Sequence, residues 1–136
     1  AFLTRIMNHS LFSFTLPPSV AAACIAAIDV LEKEPQHVRR VWENRNYLLE
    51  ALKDTGFDTG NTETPIIPVM CGKSKTARDL ADFLWTKGIF VLPIFYPMVA
   101  RDKARIRVQL CTKHTTEQLD RAIDAFKEGG RKLGIR

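Results

Sequence analysis

Two arginines separated by a single residue, Arg105 and Arg107 in the run "KARIRVQLCTKHTTEQL" at residues 103–119, are the side chains best placed to do chemistry in this sequence. The run alternates as a strand does, so Ile106, Val108 and Leu110 share one face while Arg105, Arg107 and Gln109 share the other. The first face is core. The second meets either water, where charged side chains are mostly found, or an anion. A guanidinium is suited to the anion, because its planar fork of donors can grip a carboxylate or phosphate at two points. Directly upstream, "PIFYPMVARDK" at 93–103 sets Ile94, Phe95, Tyr96, Met98 and Val99 between prolines, where a loop is ordinarily polar. Such a loop either folds back onto its own sheet or meets another domain, a second subunit or a ligand, and a dry wall beside a fixed positive charge is what a ligand site needs.

The remaining candidates are weaker. Cys111 and His114 make a lone CxxH, short of the four ligands of a structural zinc, so no metal site is expected and His114 is read as ordering the turn before Thr115. His9 and His37 belong to no constellation. The three cysteines, Cys24, Cys71 and Cys111, contain no CxxC pair, which argues against a disulfide framework and for a reducing cytoplasm. The longest apolar stretch, "VAAACIAAI" at 20–28, is too short for the ~20 residues that a bilayer requires, so no membrane span is expected. A net charge of +5 suits a polyanion, whether nucleic acid or a phosphorylated small molecule, or a solvated surface.

Elements must hold the arginines in place, and 136 residues with 46% hydrophobic content suffice for one domain with a core. Pro17 and Pro18 open a helix that Pro35 closes at about Glu34. A second helix follows with Val38, Val41, Trp42, Leu48, Leu49 and Leu52 on one stripe, interrupted by Arg45 and stopped by Gly56. The strand "IIPVMC" at 66–71 contains Pro68, which lacks a donor and so predicts an edge. A helix with Ala77, Leu80, Ala81, Leu84 and Trp85 on one side leads past Gly88 to a strand at Ile89–Leu92, and Arg105–Leu110 forms the next. Thr115 with Gln118 three residues later is a capping box for the last helix. The order ααβαββα predicts an α+β fold: two N-terminal helices, then a small, mostly antiparallel sheet of three to four strands with helices on one side.

The segments "LFSFTLPPSVAAACIAAIDVL", "IIPVM", "GIFVLPIFYPMVARDKARIRVQL" and "KHTTEQLDRAIDAF" together, in this order and spacing, resemble the carboxy-terminal part of the α-oxoamine synthases. These are pyridoxal-phosphate enzymes of fold type I, among them 2-amino-3-ketobutyrate CoA ligase, 8-amino-7-oxononanoate synthase and serine palmitoyltransferase. The resemblance implies a condensation of an amino acid, glycine or serine, with an acyl-CoA, performed by a homodimer. It implies that Arg107 binds the amino acid's carboxylate and that Ser13 reaches the cofactor phosphate from the partner subunit, where a loop serine bonding nearby backbone is the plainer alternative. The cofactor-bearing lysine would precede Ala1, so no catalytic residue is expected within residues 1–136 and the chain reads as a C-terminal portion: a lead-in at 1–16, helices at 17–55 and a small domain at 56–136. Asn8, His9, Ser10 and Ala100 depart from the pattern of many members. "FYPMV" with "ARIRVQ" leans toward the glycine-using ligase, and "FSFTLPPSV" fits the serine enzymes equally.

A rival reading is a free-standing α+β module holding RNA or another polyanion on a basic sheet face. Phe90 is the one aromatic in an expected strand, and no "GFGFV"-like run is present, so nucleic acid is not expected. A third is a subunit-docking domain without chemistry of its own.

Overall fold

The apolar spacing forms helices where it should. The computed structural model describes residues 16–135, in the order α1 (Pro18–Lys33), α2 (Gln36–Asp54), β1 (Ile66–Gly72), α3 (Ser74–Thr86), β2 (Leu92–Ile94), β3 (Ala104–Gln109) and α4 (Thr116–Leu133). The described residues divide into two compact units, 16–35 and 36–135. Within the first, α1 begins on Pro18, whose missing N–H is no loss in a first turn, and closes with the Glu34 N–H donating to the Val30 carbonyl at 2.8 Å. None of its residues is buried.

The second unit is built around an antiparallel sheet of order β1-β3-β2. Register pairs Ile67 with Val108 and Val69 with Ile106, so these four, with Ala104, fall on one face and are buried. Leu48 and Leu52 of α2, Leu80 and Leu84 of α3, and Ile123 and Phe126 of α4 complete that core. Each fully buried aliphatic contributes on the order of 1.5–3 kcal/mol, an upper figure because the unfolded chain already hides part of it. Gly56, at φ 86°, ends α2 in the left-handed conformation, and the Phe57 N–H then donates back to the Leu52 carbonyl at 3.1 Å. Phe57 is thereby aimed inward, with its ring edge-on to Phe126 at 5.9 Å.

The α+β expectation holds: three antiparallel strands with helices over one face. Pro68 lies in an edge strand, as its missing donor requires. Two details differ. The second strand occupies Leu92–Ile94 and not Ile89–Leu92, because the Ile89 N–H is still engaged with the Leu84 carbonyl at 3.0 Å as α3 terminates. Trp85 leaves the buried stripe of α3; it is 65% exposed and packs edge-on against Phe90 at 5.8 Å. The apolar loop also divides. Phe95 is half-buried against the core under the Arg78 guanidinium, whereas Tyr96 and Met98 are exposed, Tyr96 with Arg101 over its ring at 5.1 Å.

Candidate functional site

The face of the sheet away from the core carries the two arginines. Register places Arg107 between Pro68 and Leu92, and Arg105 between Met70 and Ile94. Each guanidinium therefore rises from a row of apolar neighbours, since residues directly opposite across a ladder share a face. Among the outward positions of the three strands, Ile66, Pro68, Met70, Leu92, Ile94 and Gln109, no aromatic platform for stacked bases is present.

The two arginines are otherwise unlike. Arg105 donates from Nε to the Lys103 carbonyl at 3.2 Å, a local bond at the start of its own strand. Arg107 has a buried Nε with no hydrogen-bond partner among the described residues. A buried donor left unpaired costs roughly 1–3 kcal/mol, more when charged, so it calls for an acceptor.

The sheet's own shape gives that acceptor a place. β2 is three residues long and pairs with β3 only from Arg105 to Arg107, so beyond Arg107 the β2-facing edge of β3 is uncovered. A cleft of about 670 Å³ opens there, between the Gly88–Leu92 segment, the end of β3 and the start of α4. Arg107, Gln109, Cys111, His114, Gln118 and Arg121 give it polar groups, and Phe90, Leu110 and Leu119 give it apolar wall. That mixture and size are those of a small-molecule site. A second hollow, about 430 Å³, lies on the charged flank of α4 among Asp124, Lys127, Glu128, Arg131 and Lys132. There Lys127 pairs with Asp124 and Glu128 with Lys87, as on ordinary solvated surface.

The turn that closes the cleft is tied down at several points. His114 accepts the Cys111 N–H at Nδ1, 3.3 Å away, which is the turn-ordering part its sequence position suggested. Asn44 of α2 donates from Nδ2 to the carbonyls of Cys111 and His114, at 3.1 and 3.2 Å. Thr115 and Gln118 then form the reciprocal capping box that starts α4. The Thr115 hydroxyl also holds the Glu117 carboxyl below its ordinary range. Sequence reasoning did not find Asn44; its signal was an asparagine in mid-helix, where the side chain competes with the backbone and so needs a reason to be there.

Ser13 lies outside the described residues, as do His9 and the aromatic residues Phe2, Phe12 and Phe14. Cys71 is a different kind of group from the cleft's Cys111: burial pushes its thiol up to about 11. Among the described residues no group of three or more His, Cys, Asp or Glu stands together as a metal site would require, and no described helix is long and apolar enough to cross a membrane.

The family model of class I and II aminotransferases matches residues 1–126. The 8-amino-7-oxononanoate synthase of Symbiobacterium thermophilum is 48% identical over 125 residues, 92% of this chain and 32% of that protein. The 8-amino-7-oxononanoate synthase/2-amino-3-ketobutyrate coenzyme A ligase of Thermus thermophilus is 42% identical over the same shares. Among solved structures, a serine palmitoyltransferase from S. paucimobilis with bound pyridoxal phosphate and myriocin superposes with a TM-score of 0.87 at 28% identity, covering 99% of this chain and 35% of the other. The chain thus spans about a third of the length of these relatives.

Proposed function

The chain belongs to the class I and II aminotransferase family, in the α-oxoamine synthase branch whose members work with pyridoxal 5'-phosphate, and from that premise we propose that it is the carboxy-terminal part of an acyltransferase condensing glycine or serine with an acyl-CoA. The observation that carries this reading is Arg107: a guanidinium with a buried, unpaired Nε, rising between Pro68 and Leu92 at the edge of a cleft.

The residues fit the substrates in the following way. Arg107 receives the amino acid's carboxylate in a two-point bond, which satisfies the orphaned donor and fixes the direction of the Cα bonds. The flanking proline and leucine exclude water, so the pairing is stronger than on an open surface. Pyridoxal phosphate, when bound, supplies the electron-accepting ring chemistry. Ser13 is the residue we assign to its phosphate, and the lysine that carries it is assigned to the part of the enzyme upstream of this sequence. The enzyme acts as a homodimer in the reducing cytoplasm, consistent with three free cysteines.

Release of free CoA from acyl-CoA, followed with a thiol reagent on the enzyme that carries this chain, tests the reading. CoA release that requires both pyridoxal phosphate and glycine or serine is expected. Release independent of any amino acid, or none at all, contradicts it.

A further inference from the structure

The cleft is too large for Arg107's ligand alone. Its 670 Å³ is the scale of a drug-sized molecule and far exceeds glycine or serine. Cys111 and His114 line it as well, four and seven residues beyond Arg107 and past the end of β3 at Gln109, so the cleft runs on from the guanidinium. The second substrate therefore meets that wall. Resting on the reading of the reaction given above, we infer that the Cys111–His114 turn bounds the acyl chain and that Asn44, acting through this turn, is a positioning residue for the acyl-CoA substrate.

The hydrogen bonds account for the inference. A side-chain amide has two N–H donors, and Asn44 directs both of them to carbonyls of one turn, Cys111 and His114, across 67 and 70 residues of sequence. Rotating the amide by 180° would set its oxygen against two carbonyl oxygens, so the donor assignment is fixed by the network. The turn closes on itself as well, with the His114 N–H reaching the Cys111 carbonyl at 3.5 Å. Because His114 Nδ1 is the acceptor of the Cys111 N–H, the neutral ring carries its proton on Nε2. Removing the amide takes the Asn44 donor from the His114 carbonyl, leaves the Cys111 carbonyl only the long bond from the His114 N–H, and leaves the wall held by its own local bonds.

Asn44→Ala and Asn44→Asp in the enzyme that carries this chain test the assignment, with Tyr47→Phe as control. The Tyr47 hydroxyl donates to Asp120 and so ties α2 to α4 without touching the turn. Two readouts are needed. Without any ligand, Asn44→Ala should accelerate exchange of the Cys111 amide and disturb the His114 ring ¹⁵N pattern of a protonated Nε2. In turnover, both Asn44 variants should raise the KM for acyl-CoA by roughly tenfold, with kcat and the amino-acid KM moving less than about threefold. Asp is expected to be at least as harmful as Ala, because its carboxylate faces two carbonyls. Tyr47→Phe should leave both KM values unchanged. An unchanged acyl-CoA KM, or an amino-acid KM that rises in its place, overturns the inference. An Arg107 variant with intact amino-acid use contradicts the reading of the reaction separately, since it leaves the Asn44 amide and its turn in place.

Discussion

Burial separates the thiols of this chain into two chemical kinds. Cys24 and Cys111 are exposed, while Cys71 is half-buried and its thiol is pushed up to about 11, chiefly by desolvation of the thiolate. Thiolate is the nucleophile, so at pH 8 an alkylating reagent should modify Cys24 and Cys111 and spare Cys71, with Cys71 reacting only as the pH approaches 11 or the chain unfolds. Peptide mapping after iodoacetamide checks this; equal labelling of all three at pH 8 contradicts it. The sign for stability follows. The folded protein keeps this proton where the unfolded chain loses it, so the group's contribution is complete below the unfolded thiol's pKa and is lost as pH rises through about 11. At this scale the sequence was legible where the signal was local: Arg107 could be put on the outer face from alternation alone. Asn44 could not be assigned to its turn, because its partners lie 67 and 70 residues away.

Close approach of elements depends on two glycines inside α4. A Cβ at Gly129 would stand 2.7 Å from Leu80 Cδ1 and 2.9 Å from the Phe83 ring, and one at Gly130 would stand 2.5 Å from Phe57 Cζ. Helix propensity favours alanine at such positions by about 1 kcal/mol, but Leu80 and Phe57 are themselves buried, and overpacking of this kind costs typically 1–3 kcal/mol. Gly129→Ala and Gly130→Ala should each lower the denaturant midpoint, Gly130→Ala more, given the shorter contact; a rise in either midpoint contradicts the packing described. The elements themselves were legible wherever periodicity and caps agreed, as in α2 with Gly56 and in α4 with Thr115 and Gln118. β2 starts three residues later than expected because "IFVL" reads as a strand locally, while the backbone of Ile89 is still engaged with the end of α3. The shift matters to the site, since the shortness of β2 is what opens the cleft beside Arg107.

At the scale of the whole molecule, the described surface shows apolar groups that water does not favour. Trp85, Phe90 and Leu92 are 65%, 78% and 51% exposed, and Tyr96 and Met98 are 54% and 66%. The chain of 136 residues on its own should therefore self-associate at high concentration and bind a hydrophobic dye, and Phe90→Asp should weaken both. Strictly monomeric sedimentation without dye binding contradicts that expectation. In the whole enzyme the central claim is that Arg107 recognises a carboxylate. The most direct measurement compares kcat/KM for the amino acid with that for its carboxamide, in wild type, Arg107→Ala, Arg107→Lys and Arg105→Ala. A charge-assisted two-point bond in a partly dry site is worth roughly 2–4 kcal/mol, so Arg107→Ala should cost about two orders of magnitude or more with the amino acid and little with the carboxamide. Lysine should restore only part, and Arg105→Ala should stay within about fivefold of wild type. A preference for carboxylate over carboxamide that survives in Arg107→Ala, or that disappears in Arg105→Ala, would contradict the account.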